Sequence, residues 1–266
     1  MLAVCATPIG NLEDVTLRVL AVLRDVDIVL AEDTRHTRGL LERHDIRATL
    51  LSYHEHNEAA RTAELVPRLL AGEQMALVSD AGLPGISDPG LRLIQAAHEA
   101  GVEVTVLPGP SAVETALVAS GLGADRYAFV GFLPRRGGEL AALWQETAVW
   151  GMPIVAFESP KRVGKALASL AEFDPQRAVA VCRELTKRFE EVVRGTAAEL
   201  SVLFGDDVRG EITVVVDAPA AALARDDDAR DAVRELMAAG ASHRSAVDVV
   251  ARLTDMSKKD LYDATL

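Results

Sequence analysis

Met75-Ala76-Leu77-Val78-Ser79-Asp80-Ala81-Gly82-Leu83-Pro84-Gly85-Ile86-Ser87-Asp88-Pro89-Gly90 is the stretch on which the reading of this sequence turns. Met75 to Val78 is a short apolar run of the kind that forms a buried strand, and Leu91 to Ala100 carries a helical pattern. Between them lies a connection longer than the roughly two to six residues that a plain strand-to-helix turn needs. Gly82, Gly85 and Gly90 permit positive φ and close backbone approach, whereas Pro84 and Pro89 stiffen the loop. Asp80 and Asp88 add acceptors. A long ordered loop at the carboxyl end of a strand is where open α/β sheets bind ligands. Within it, Asp88 is expected as the helix N-cap and Pro89 as the first helical residue.

The same grammar runs outward from this loop. Leu2–Ala6, Asp27–Ala31, Thr49–Ser52 and Val102–Leu107 read as strands. Helical spacing fills Thr16–Leu23, the segment ending near His44, and Glu58–Ala71. Strands alternating with helices imply a parallel or largely parallel sheet, and this first α/β lobe spans 1–109. A second lobe, 110–217, holds helices at Ser111–Ser120 and up to about Thr147. Its strands are expected at Tyr127–Gly131, Pro153–Phe157, Ala178–Arg183, Glu191–Arg194 and Ile212–Asp217. No helical crossover is legible after Arg183, which implies a mixed sheet with antiparallel hairpins. Ala218-Pro219-Ala220-Ala221-Ala222 reads as a linker. A small helical domain, 226–266, follows, with helices at Asp227–Ala238, Ser242–Leu253 and Lys258–Ala264 and with Ser242 and Ser257 as N-caps.

Composition narrows the function. The 266 residues are 49% hydrophobic and 26% charged, ordinary for a globular protein. No apolar stretch is long enough to span a bilayer, and the amino terminus lacks the basic segment of a signal peptide. Cys5 and Cys182 sit in apolar runs and read as reduced core thiols of a cytoplasmic protein. A net charge of −12 argues against indiscriminate nucleic-acid binding, so any RNA contact needs a local basic face. No P-loop, dinucleotide fingerprint or zinc spacing is present. His54 and His56 would share one side of an extended segment, but without further ligands they read as loop contacts rather than a metal site.

What remains is a set of polar tips at strand ends: Thr7–Asn11, Glu32–His36, Ser79–Gly90, Pro108–Ala112 and Glu158–Arg162. Singly, each is a cap or turn. Together they converge on a crevice between two lobes.

These tips carry a resemblance. Ala6-Thr7-Pro8-Ile9-Gly10-Asn11-Leu12, Ala31-Glu32-Asp33-Thr34-Arg35-His36-Thr37, Ser52-Tyr53-His54-Glu55-His56-Asn57 and the Ser79–Gly90 loop occur in fixed order. Pro108-Gly109-Pro110-Ser111-Ala112, Gly131-Phe132-Leu133-Pro134, Glu158-Ser159-Pro160, Arg183-Glu184-Leu185-Thr186-Lys187 and Gly210-Glu211 follow them. The pattern resembles the ribosomal RNA small subunit methyltransferase I family of the tetrapyrrole methylase superfamily. It covers about Leu2 to Asp217, and Met256–Tyr262 is similar to the family's C-terminal helical domain. Two positions depart from the pattern: Leu83 stands for a threonine and Lys161 for a histidine.

The resemblance implies a two-lobed tetrapyrrole-methylase-like α/β fold and S-adenosylmethionine as cofactor. It implies methylation of the ribose 2′-hydroxyl of a cytidine in the decoding region of 16S rRNA, within the 30S subunit. A homodimer is implied, with no membrane and no metal. By position, Pro8, Asp80, Ala81, Gly82, Ile86, Ser87, Ser111 and Ala112 would contact the methyl donor, with Glu211, Ile212 and Thr213 closing over its adenine. A sulfonium methyl needs an aligned nucleophile more than a Lewis acid, so proximity should dominate catalysis.

A ribose hydroxyl is a poor nucleophile, and a base or a nearby charge would help it. Glu32, Asp33, Arg35, His36, His54, Glu158, Glu184 and Lys187 are all candidates. The sequence does not choose among them; Arg35, Glu158 and Lys187 are taken forward as catalytic residues. Arg35, His36, Arg135, Arg136, Lys161, Arg162 and Arg188 are expected on the RNA-binding face. Lys258 and Lys259 could touch RNA, or their helix could pack on a partner subunit. Two rival functions share this fold, a tetrapyrrole methyltransferase and a non-catalytic ribosome assembly factor.

Overall fold

The computed structural model describes residues 1–266 apart from 124, 206, 207, 220, 255 and 266, and the backbone alone of 221–227. The first lobe runs β1 (Leu2–Cys5), α1 (Leu17–Asp25), β2 (Ile28–Ala31), α2 (Thr34–Arg43), β3 (Leu50–Ser52), α3 (Glu58–Leu70), β4 (Met75–Val78), α4 (Leu91–Glu99) and β5 (Val104–Leu107). Its five strands lie in the order β3-β2-β4-β1-β5, and all pairings are parallel. β1, β2 and β4 are buried along their whole length. This is why they read as unbroken apolar runs rather than as alternating ones. Because β4 inserts between β2 and β1, the Ser79–Gly90 loop leaves the middle of the sheet beside the end of β1.

The second lobe runs α5 (Ala112–Ser120), β6 (Ala128–Phe132), α6 (Gly137–Thr147), β7 (Ile154–Glu158), α7 (Val163–Phe173), β8 (Ala178–Arg183), β9 (Glu191–Thr196), α8 (Ala197–Leu203) and β10 (Ile212–Val216). The sheet order is β6-β7-β10-β8-β9, with β6 and β7 parallel and the remaining pairs antiparallel. The expected mixed sheet is present. α5 lies on one face of it, where Val113, Ala116 and Leu117 pack with Val155, Ala180, Cys182 and Val215. Ile9 of the first lobe joins that cluster, so the lobes share a core. α9 (Ala221–Ala238), α10 (His243–Thr254) and α11 (Lys258–Ala264) form a separate cluster around Val233, Val247, Val250 and Leu261.

Several expectations need correction. α7 and α8 are helices in segments to which the reading above assigns none. They pack so closely that a Cβ on Gly164 would fall 2.3 Å from the Phe204 carbonyl oxygen. α8 also supplies the helical connection from β9 to β10, opened by a capping box of Thr196 and Glu199. The expected linker is shorter than 218–222, because α9 begins at Ala221; Ala220 lies outside the described residues. Asp88 and Pro89 do not start α4. Its N-cap is Gly90, at φ +133°, which only glycine holds without strain. Ser257 caps α11 as expected, and Ser242 accepts a hydrogen bond from the Ser245 N–H.

Candidate active site

The loop after β4 is stitched to the loop after β1. The Thr7 N–H donates to the Gly82 carbonyl at 2.8 Å, and the Gly82 N–H returns the bond at 3.1 Å. The Thr7 hydroxyl donates to the Ser79 carbonyl at 2.9 Å, and the Ser79 hydroxyl donates to Gly82 at 3.1 Å. Gly82 and Gly85 take φ +84° and +86°, and Ser87 takes +61° in spite of its side chain. Backbone strain of this sort persists where surrounding contacts over-determine it, and it gathers at ligand sites.

Between this loop and the second sheet lies a cavity of about 430 Å³. The expected donor residues Asp80, Ala81, Gly82, Ile86, Ser87, Ser111, Ala112, Glu211, Ile212 and Thr213 all line it. Pro8 does not; it faces a crevice of about 10 Å³ on the other side of the Thr7–Gly82 pair, together with His36. The floor is apolar, made by Ile9, Val113, Phe157 and Leu185. Cys182 belongs to that floor. Burial pushes its thiol up to about 11, so it stays protonated and serves as wall rather than nucleophile.

One end of the cavity is acidic, with Glu32, Asp80 and Asp88. Burial and the nearby Glu32 carboxylate push Asp88 up to about 7. Glu32 is raised likewise, by burial and then by Asp80. Asp80 also accepts from the Asp33 N–H at 3.1 Å, which binds the ends of β2 and β4 together. Carboxylates raised in this way favour a bound cation.

Opposite stands Glu158, the last residue of β7, 4% exposed and on the cavity wall. Its Oε1 accepts the Ser159 N–H at 2.5 Å and pairs with the Arg162 guanidinium. Burial raises its carboxyl above the usual glutamate range, while Ser159 and Arg162 pull it partly back.

Arg35 and Lys187 are not on the lining. Arg35 is exposed and held bidentately by Asp33, at 3.1 and 2.6 Å. Lys187 Nζ lies 3.0 Å from both Glu184 and Glu211. It thus braces the loop that brings Glu211 to the cavity, and Glu184 also takes the Glu211 N–H at 2.9 Å. Across the lobe junction, a Cβ on Gly10 would meet Lys187 Cγ at 2.5 Å, and the Asn11 N–H donates to Thr186 at 3.0 Å.

Of the expected RNA-binding residues, Arg135, Arg136 and Lys161 are exposed beside the Glu158 end. Arg136 pairs with Glu139 at 3.1 Å, and Arg188 sits over the Phe189 ring at 5.5 Å. His54 and His56 occupy a turn after β3, rings 5.9 Å apart, and Asn57 holds the first of them. Sequence reasoning missed Phe132, Phe157 and the acidic role of Asp88. Phe132 and Phe157 sit at strand ends, and that position is the signal that could have found them.

Comparison with known proteins agrees with this geometry. Residues 1–201 match the family of Tetrapyrrole (Corrin/Porphyrin) Methylases. The chain is 40% identical to the ribosomal RNA small subunit methyltransferase I of Synechocystis sp., over 100% of this chain and 97% of that protein. Among solved structures, the methyltransferase CobJ superposes with a TM-score of 0.64 at 20% identity, covering 82% of this chain and 94% of that one. The uroporphyrin-III C-methyltransferase of Thermus thermophilus, complexed with S-adenosylhomocysteine, superposes at 0.57 and 16% identity, covering 80% and 96%.

Proposed function

We infer the function of this chain from the family it belongs to, the tetrapyrrole (corrin/porphyrin) methylases and, within them, the ribosomal RNA small subunit methyltransferase I proteins. In this reading it transfers a methyl group from S-adenosylmethionine to the ribose 2′-hydroxyl of a cytidine in the decoding region of 16S rRNA, on the 30S subunit. The observation that carries it is one cavity lined both by an acidic, glycine-bearing loop and by a buried glutamate.

The residues fit the donor. When bound, S-adenosylmethionine supplies an electrophilic methyl carbon on a positively charged sulfur. Asp80–Gly82, Ser111, Ala112 and Glu211–Thr213 would hold it, and Glu32, Asp80 and Asp88 match its charge. The apolar floor excludes water, which strengthens each of these interactions.

Glu158 takes the proton from the ribose hydroxyl. Ser159 and Arg162 both engage Oε1, which leaves Oε2 for the proton. A carboxyl raised by burial is a better base at neutral pH than an exposed one. Arg162 offsets part of that rise and so favours the ionised form. Lys187 acts at a distance, by fixing Glu211. Arg35 and His36 lie outside the cavity on the tip after β2 and are assigned only to RNA contact there, not to the chemistry.

The test supplies radiolabelled S-adenosylmethionine with 30S subunits lacking the methyl mark, naked 16S rRNA or a tetrapyrrole. Label in 30S particles, recovered after digestion as 2′-O-methylcytidine, is the expected result. Label in the tetrapyrrole alone, or in nothing, overturns the reading.

A further inference from the structure

Phe132 is 59% exposed, yet it lines the cavity. Its backbone is built to put it there. Pairing of β6 with β7 runs Ala128↔Ile154 and Phe129↔Val155, then slips so that Phe132 faces Phe157. Gly131, at φ +69°, absorbs the slip, and such bulges re-aim a side chain at the cost of ladder bonds. The ring is braced from behind only. Phe157 meets it edge-on at 5.5 Å, and Phe129 in turn backs Phe157 at 4.9 Å. Phe157 is its one ring partner among the described residues, and more than half of Phe132 stays exposed.

The charge around this ring is the reverse of the whole chain's −12. Arg135 and Arg136 follow three and four residues on, and Lys161 lies on the neighbouring tip after β7. Arg135 and Lys161 are exposed and form no ion pair with another described residue. Arg135 is also close enough to Glu158 to act on its carboxylate. An exposed ring on a strand end next to two cations with no ion-pair partner among the described residues suits one occupant: an unpaired base whose flanking phosphates are negative.

We propose that Phe132 is the platform on which an unpaired RNA base at the reacting nucleotide stacks, with Arg135 and Lys161 holding the phosphates beside it. This rests on the RNA reading of the site given above. Stacking on an aromatic ring orients the nucleotide without reading its identity, so Phe132 governs how well RNA is held rather than how the donor is held.

The test compares Phe132→Ala, Phe132→Leu and Phe132→Trp in the full chain, acting on 30S subunits that lack the methyl mark. S-adenosylhomocysteine affinity is measured alongside by calorimetry. The alanine and leucine variants are expected to raise KM for 30S particles roughly five- to a hundredfold, with S-adenosylhomocysteine binding within about twofold of wild type. Tryptophan is expected to restore KM to within about threefold. Leucine keeps apolar bulk, so the question stays answerable if alanine fails to fold. An unchanged KM in both variants overturns the proposal. Rescue by leucine equal to that by tryptophan overturns it too, as does S-adenosylhomocysteine affinity falling in step with RNA affinity. Wild-type protein that labels no RNA overturns the functional reading itself, a result distinct from these.

Discussion

Facing each other across the cavity, the loop after β4 presents main chain, bent through positive φ at Gly82, Gly85 and Ser87, whereas the opposite rim presents long side chains on the tips after β6, β7 and β8. The first wall is locked by paired backbone hydrogen bonds between Thr7 and Gly82. The second is held by the ion pair of Arg162 with Glu158, while Lys187 steadies Glu211 for the donor. A wall of backbone suits a ligand that is the same at every turnover. A wall of charged and aromatic side chains suits a large polyanion that must be gripped and released. Variants on one wall should therefore leave the other's ligand alone.

The largest expected effect breaks chemistry while sparing both ligands. Glu158→Gln should lower kcat by roughly a hundred- to ten-thousandfold, with S-adenosylhomocysteine affinity within about twofold by calorimetry. Because Glu158 must be ionised to accept a proton, wild-type kcat should rise with pH along a limb lying above the usual glutamate range. The variant should lack that limb.

Charge reversal on the RNA wall comes next. Arg135→Glu with Arg136→Glu should weaken RNA binding by on the order of tenfold or more. The slope of log K against log salt should shrink by about 1.4 to 1.8, as two lost phosphate contacts require. Filter binding across a salt series checks this, and donor affinity should not move.

Gly10→Ala is the exception that sharpens the comparison, because Gly10 sits where the walls meet. Its new Cβ would press on Lys187, Thr186 and the Leu185 carbonyl at 2.5, 2.7 and 2.9 Å. Overpacking of this kind costs about 1–3 kcal/mol. Thermal unfolding should shift down by several degrees, and donor and RNA affinities should weaken together.

The smallest effect lies in the acidic end. Burial and the Glu32 carboxylate push Asp88 up to about 7 in the folded protein, well above an unfolded carboxyl. The native state therefore binds the extra proton between the two values, and stability falls as pH rises through that window. A bound cation favours the ionised form, so donor affinity should tighten a few-fold between pH 6 and 8. Asp88→Asn should flatten both trends, read by calorimetry and by thermal melts across pH.

How much of this was legible beforehand differs between the walls as well. The first lobe's strands announce themselves, because burial on both faces leaves continuous runs such as Val29-Leu30-Ala31 and Met75–Val78. Its loop was conspicuous through its glycines and prolines, and ten of the expected donor contacts fall on one cavity. In the second lobe α7 was legible, since Val163, Ala166, Leu167 and Leu170 fall at helical spacing around the Gly164 that lets it pack closely, whereas α8, at seven residues, is too short to show a stripe. Asp88 was mistaken for a cap because Asp-Pro before an apolar run has the usual look of one. The chain instead uses Gly90 and turns Asp88 into the cavity. Lys187 looked catalytic by its place on a strand-end tip, yet two carboxylates already claim its ammonium. Such pairings depend on residues distant in the chain, and no local pattern records them.

A crystal of this protein soaked with S-adenosylhomocysteine puts the account to its most direct trial. The account predicts the ligand lying along Asp80–Gly82 and Ser111–Ala112, its adenine against Ile212 and Thr213 and its amino-acid end toward the carboxylates, with Glu158 and Phe132 left facing open space. Density on the Glu158 and Phe132 side, or anywhere outside the cleft, would contradict it.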